Sequence, residues 1–165
     1  METLVINHTE ERIWKILEEV YDPEIPVLSV IDLGIVRSVN TNNDQIEINI
    51  TPTYSGCPAM DVISMNIRMA LIQNGFNDVI IRQQLSPAWT TDWMTEIGKQ
   101  KLTSYGIAPP VSKTFDKEYF ENLVVPCPLC RSKNTRMISE FGSTSCKALF
   151  QCNDCLEPFD YFKCH

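Results

Sequence analysis

Gln45-Ile-Glu-Ile-Asn-Ile50 runs directly into Thr51-Pro-Thr-Tyr-Ser-Gly-Cys57-Pro58-Ala59, and then into Met60 to Asn74. The first segment alternates strictly, with Ile46, Ile48 and Ile50 apolar, which is the pattern of a half-buried strand. The last puts Met60, Ile63, Ile67, Ala70 and Leu71 on one helical face. The chain must turn sharply between them, and Gly56 supplies the freedom for it. Pro58 suits a first helical position, which places Cys57 at or next to the N-cap. Free backbone N–H groups and the positive end of the helix dipole would then face its sulfur. A thiol so placed tends to have a lowered pKa and to serve as a nucleophile or metal ligand. The plainer reading is a small buried residue at a helix start.

Before this stretch, Thr9 to Tyr21 reads as a helix with Ile13, Ile16, Leu17 and Val20 as its apolar stripe. Asp22-Pro23 stops it, because a residue before proline avoids helical geometry. Asp22-Pro-Glu-Ile-Pro26 is either a surface turn or a stiff segment that holds Asp22 and Glu24 beside a site. Val27–Asp32 and Ile35–Val39 read as extended. Asn40–Asp44 is a turn, so Ile35–Val39 and Gln45–Thr51 make a hairpin. After it, the second helix closes at Asn74-Gly75, and Val79–Leu85 is a third strand that can lie beside the hairpin. Two helices on one face of this sheet give an α+β fold, a small two-layer α/β sandwich. Thr91 is the expected cap of a further helix with Trp93, Ile97 and Leu102 buried, ended by Gly106 and a rigid Ala108-Pro-Pro110 exit. Trp89 and Trp93 suit either core or a binding edge.

The 165 residues divide into an α+β domain over 1–110 and a connector with a cysteine-rich module over 111–165. No apolar run approaches the roughly 20 residues of a membrane span. Met1-Glu-Thr-Leu4 lacks the basic start of a signal peptide, so the expected location is the cytoplasm. The net charge of −7 falls entirely on residues 1–110, with seven Lys/Arg against fourteen Asp/Glu. That acidity argues against nucleic acid as a partner of the first part.

Six of the seven cysteines lie after residue 126. In a reducing compartment such clustering points to metal before disulfides. Cys127-Pro-Leu-Cys130 and Cys152-Asn-Asp-Cys155 are two CxxC pairs 21 residues apart. Each pair on a tight turn can aim both sulfurs at one centre, and two such turns close a tetrahedral four-sulfur cage. Structural zinc fits this zinc-ribbon module, although four thiolates also suit iron. Asn134–Ser139 and Ala148–Gln151 have the strand character of a ribbon. A module of about 45 residues needs the metal, because its own core is too small to fold it. Cys146, Cys164 and His165 are left over. Cys146 either packs against the ribbon or joins an additional metal site, and Cys164-His165 could chelate as a tail.

Asp22-Pro-Glu-Ile-Pro26, Asp32-Leu-Gly34 and Thr51-Pro-Thr-Tyr-Ser-Gly-Cys57-Pro58 together resemble the small domain of iron–sulfur cluster assembly factors. Pro87-Ala-Trp-Thr-Thr-Asp-Trp93, Tyr105-Gly-Ile-Ala-Pro-Pro110, the paired CxxC, Phe141-Gly-Ser-Thr-Ser-Cys-Lys147 and Glu157-Pro-Phe-Asp-Tyr-Phe-Lys-Cys164 extend the likeness over nearly the whole chain. The chain resembles the PaaD-type subunits of bacterial phenylacetyl-CoA epoxidases. That resemblance implies an accessory subunit in aerobic phenylacetate degradation rather than an enzyme in its own right. Its expected partners are a di-iron oxygenase and a reductase carrying flavin and an iron–sulfur cluster, and its expected work is to mature their metal centres. It also implies that Cys57 is the functional cysteine, holding iron or an iron–sulfur cluster transiently, with Asp22, Glu24 and Asp32 as supporting acids. The sequence lacks the Glu-x-x-His pairs of a di-iron site and a Gly-rich dinucleotide loop. A purely structural subunit and a rubredoxin-like electron carrier are the competing expectations.

Overall fold

A computed structural model describes residues 8–111 and 122–163. Helix α1 spans His8–Leu17, strand β1 Val36–Asn42, β2 Gln45–Ile50, helix α2 Ala59–Gln73 and β3 Asp78–Gln83. β1 and β2 form the expected antiparallel hairpin, and β3 lies parallel to β2. Parallel neighbours need a crossover, and α2 is that crossover. Ile46, Ile48 and Ile50 of β2 are buried against Ile13 and Leu17 of α1 and Ile63, Ile67 and Leu71 of α2. The alternation of β2 and the helical stripes thus meet in one core, as their periodicities require.

Two expected elements before β1 change. α1 stops at Leu17 instead of Tyr21. The chain then folds inward, with Val20 buried, Val30 N–H donating to the Val20 carbonyl (2.8 Å) and Tyr21 bridging Ser29. Val27–Asp32 is not a strand. The Ser29 hydroxyl accepts the Asp32 N–H and an Asp32 carboxylate oxygen accepts the Ser29 N–H, each at 3.1 Å. Such local side-chain bonds compete with a strand ladder and win here.

After β3, Thr91–Trp93 is a single 3-10 turn, and helix α3 runs over Glu96–Tyr105. Its cap is Thr95 rather than Thr91, with Thr95 Oγ1 accepting the Gly98 N–H at 2.9 Å. Leu102 is buried as expected, but Ile97 is exposed and Gly98 takes the buried place. A Cβ at Gly98 would approach Asp32 at 3.0 Å, so the closest contact needs the smallest residue. Gly34 is similarly constrained. It has φ +67° and its Cα packs on the Trp93 carbonyl, where any Cβ would collide. Asp32-Leu-Gly34 is therefore the seat of the tryptophan segment. Trp89 Nε1 donates to the Leu33 carbonyl at 2.8 Å, and Thr95 N–H donates to the Asp32 carbonyl at 3.0 Å. Trp89 belongs to the core, while Trp93 is half-buried with Arg37 stacked 3.4 Å from its ring centre.

The second sheet has the order β4-β7-β6-β5, from Ile107–Ala108, Pro158–Phe162, Lys147–Cys152 and Thr135–Ser139. β5 and β6 are the expected ribbon strands. β7 and its parallel partner β4 were not foreseen. Side chains alternate across a sheet, and this one faces two cores. Ile107 and Phe162 pack with the α1–α2 core, whereas Ala108, Ala148, Phe150, Phe159 and Tyr161 form a second core with Val125. Among the described residues no helix is long and apolar enough to cross a membrane.

Candidate metal centre and cysteine site

The two CxxC turns of the ribbon are near copies of each other. Cys127 N–H donates to the Ser132 carbonyl (2.9 Å), and Cys152 N–H donates to the Glu157 carbonyl (3.0 Å). The residue after each second cysteine, Arg131 or Leu156, has φ 64°. That left-handed residue curls each turn so that both sulfurs face inward. The four ligand atoms of Cys127, Cys130, Cys152 and Cys155 all lie within 4.8 Å of one another. The Sγ separations are 3.8 Å for Cys127–Cys155 and 3.5 Å for Cys130–Cys152. A tetrahedral zinc with bonds of about 2.3 Å sets its sulfurs about 3.8 Å apart. The four residues therefore fit a tetrahedral metal ion, which they would hold as thiolates. When bound, it would tie β5 and β6 together at one end. Ser132 and Asn134 both donate to Asp154, joining the two turns from outside.

Cys57 sits immediately before α2, half-buried, with Pro58 as the capping residue. The Ala59 N–H and the Tyr54 hydroxyl both point at its sulfur. The expected depression of its pKa is not found. Burial pushes the thiol up, and the Glu24 and Asp22 carboxylates push it further, against the pull of Ala59 and Tyr54. Tyr54 is raised to about 12, by burial first and then by Cys57, while Ser145 pulls the other way.

Asp22 and Glu24 act electrostatically on Cys57. Asp22 Oδ1 accepts the Glu24 N–H (2.7 Å) and the Ile25 N–H (2.8 Å), which fixes the turn and aims Glu24. Burial still raises Asp22 overall. Asp32 is engaged elsewhere. Its carboxylate accepts Lys101 Nζ at 2.6 Å and Thr95 Oγ1 at 3.2 Å besides Ser29. Cys164 and His165 lie outside the described residues.

Sequence reasoning missed how Cys146 is used. It comes from the ribbon, is buried, and its Sγ lies 3.9 Å from Glu24 Oε2 and 3.1 Å from Thr144 Oγ1. Burial raises its thiol to about 11. No local signal links residue 146 to residue 24. The pairing of β7 with β4 and the Phe162–Trp89 contact hold the ribbon against the first module. Thr51, Tyr54, Leu85 and Trp89 line a cleft of about 180 Å³. Thr51 Oγ1 is buried there without a hydrogen-bond partner among the described residues.

Burial alone would raise Asp32, but the bonds from Lys101 and Ser29 outweigh it and hold the carboxyl below its ordinary value. A depressed carboxyl stabilises the fold above the unfolded value of about 3.9 and loses that contribution as pH falls through the folded value. Asp32→Asn should cost about 2 kcal/mol at pH 7, less than a fully buried pair because Lys101 is 39% exposed. Urea titrations of both proteins should show the gap narrowing below the carboxylate range. Acid release of ribbon metal is common to both and cancels. A gap constant with pH would mean the charge contributes nothing.

Comparison with known proteins defines the class first. Residues 10–78 match the model of an iron–sulfur cluster assembly protein, and residues 112–163 match the PaaD zinc beta ribbon domain. The chain thus joins an iron–sulfur-assembly domain to a zinc ribbon. It is 51% identical over 152 residues to an Escherichia coli (strain K12) protein described as one of the subunits of 1,2-phenylacetyl-CoA epoxidase, covering 92% of this chain and 91% of that one. This chain belongs to that family of PaaD-type subunits. An Fe–S protein maturation auxiliary factor of Porphyromonas gingivalis is 40% identical over 90 residues, which is 53% of this chain and 85% of that protein. The crystal structure of the DUF59 domain from Bacillus anthracis superimposes with a TM-score of 0.54 at 28% identity, covering 56% of this chain and 90% of that one.

Proposed function

We propose that this chain is a non-catalytic, accessory subunit of a phenylacetyl-CoA ring epoxidase in aerobic phenylacetate degradation, and that it matures the iron–sulfur or di-iron centre of partner subunits. The partners are a di-iron oxygenase and a flavin and iron–sulfur reductase, in the cytoplasm. The observation that carries this reading is the near full-length identity to the Escherichia coli epoxidase subunit, joined to an iron–sulfur-assembly domain. In this reading Cys57 holds iron or a cluster in transit. Asp22 and Glu24 offer oxygen ligands, and Asp32 supports the site indirectly by seating the tryptophan segment. The ribbon is a platform held by structural zinc.

A Cys57→Ser strain tests it. Epoxidation of phenylacetyl-CoA by whole cells should fall at least tenfold or so, the loss typical of disrupting a metal's ligand environment, while the purified variant keeps its ribbon metal and its fold. Wild-type activity in that strain overturns the role of Cys57. A docking subunit without metal transfer is the second reading. The exposed apolar stripe of Val62, Met65, Met69 and Ile72 on α2 favours it. Stoichiometric co-purification with the oxygenase, with an epoxidase that stays inactive in vitro when this chain is left out, would select docking over maturation.

A further inference from the structure

Three separate segments carry metal-binding groups that are linked through Glu24 and Tyr54. Asp22 and Glu24 come from the turn after α1, Cys57 from the loop after β2, and Cys146 from the ribbon, 89 positions beyond Cys57. Both carboxylates act on both thiols. Glu24 Oε2 lies 3.9 Å from Cys146 Sγ, and Tyr54 interacts at once with Cys57 and with Ser145, the neighbour of Cys146. The segment carrying Cys146 is pinned in place. Lys163 N–H donates to the Cys146 carbonyl at 2.9 Å, and Gly142 N–H donates to the Lys147 carbonyl at 2.7 Å. Buried Lys163 donates through Nζ to the Glu140 carbonyl and sits 3.9 Å from the Phe141 ring centre.

We propose that Cys146 is the second sulfur of the Cys57 site, so that the two modules jointly present two thiols and the Glu24 carboxylate to a thiophilic iron cargo. The proposal rests on the maturation reading and adds a ligand to it. The iron–sulfur-assembly match ends at residue 78, so Cys146 lies outside it. Among the described residues only the four ribbon cysteines have ligand atoms all within 4.8 Å of one another. The Cys57 set is more widely spaced, so binding one iron would draw its groups together. Loading Fe(II) breaks two S–H bonds, forms two Fe–S bonds and sends two protons to solvent. The oxidation state of iron does not change.

The test is iron-edge X-ray absorption on full-length protein whose ribbon already holds one zinc, loaded without oxygen with one equivalent of Fe(II). This edge sees iron alone and counts its sulfur neighbours. Wild type should show two sulfurs with lighter oxygen ligands, and Cys57→Ser and Cys146→Ser one each. Cys146→Ala, with retained zinc as proof of folding, should match Cys146→Ser. An unchanged sulfur count in both Cys146 variants overturns the proposal but leaves Cys57 and the maturation reading standing. Iron with four sulfurs, or no bound iron, also overturns it. Failure of the maturation reading is read separately, from normal epoxidation in Cys57→Ser cells.

Discussion

Cys152→Ser, or removal of the ribbon metal by a strong chelator, is expected to unfold β5, β6 and β7 outright. The ribbon's own core is small, built mainly from Val125, Ala148, Phe150, Phe159 and Tyr161. A core of that size does not hold a module of about 45 residues. Metal binding to such sites contributes on the order of 10–16 kcal/mol in zinc-finger peptides, as much as the whole stability of an ordinary domain. Cys152 is fully buried at the end of β6, so its loss removes a ligand and opens the core together. Hydrogen exchange followed by mass spectrometry should show the amides of 135–139, 147–152 and 158–162 losing protection, while those of β2 and α2 keep most of theirs. Full protection of the ribbon strands after metal removal would mean that packing, not metal, holds the module.

The first layer was legible because its signals are local. β2 alternates, α2 carries a stripe, and Gly106 ends α3 with φ 90° as the residue after a last turn should. The four-cysteine cage was legible for the same reason, since CxxC spacing encodes its own turn. What escaped was set by contacts distant in sequence. Asp32 looked like a site acid because it stands in a motif, but Lys101, 69 positions away, claims it. Val27–Asp32 reads as extended, and four of its six side chains are apolar, yet two hydrogen bonds between its polar residues, Ser29 and Asp32, turn it. The thiol of Cys57 was expected to be acidic from its helix alone. Its burial, and after it the neighbouring carboxylates, reverse that, and neither is visible from residues 51–60. Cys146 is the clearest case, because its neighbours depend on how one whole sheet lies against the other module.

Phe162→Ala is expected to cost about 3–5 kcal/mol, the range for emptying a buried aromatic site, and to uncouple the two modules. Phe162 is 1% exposed and meets Trp89 edge-to-face, with centroids 6.0 Å apart at 82°. Trp89 is itself tied to Leu33, so one aromatic contact joins β7 to the seat of the tryptophan segment. The residue after Phe162 holds the Cys146 carbonyl, and Cys146 in turn reaches Glu24. In denaturant, the wild type should lose helix signal and release zinc in one transition, because the sheet serves both cores. Phe162→Ala should shift the helix midpoint down and split zinc release from it, and it should expose the Cys146 thiol to alkylation in the folded protein. A cost of only about 0.5 kcal/mol, the size of a surface substitution, would mean that the ribbon is merely tethered. A tethered ribbon could not hold Cys146 against Glu24, so this one substitution also measures whether a two-module cysteine site can exist.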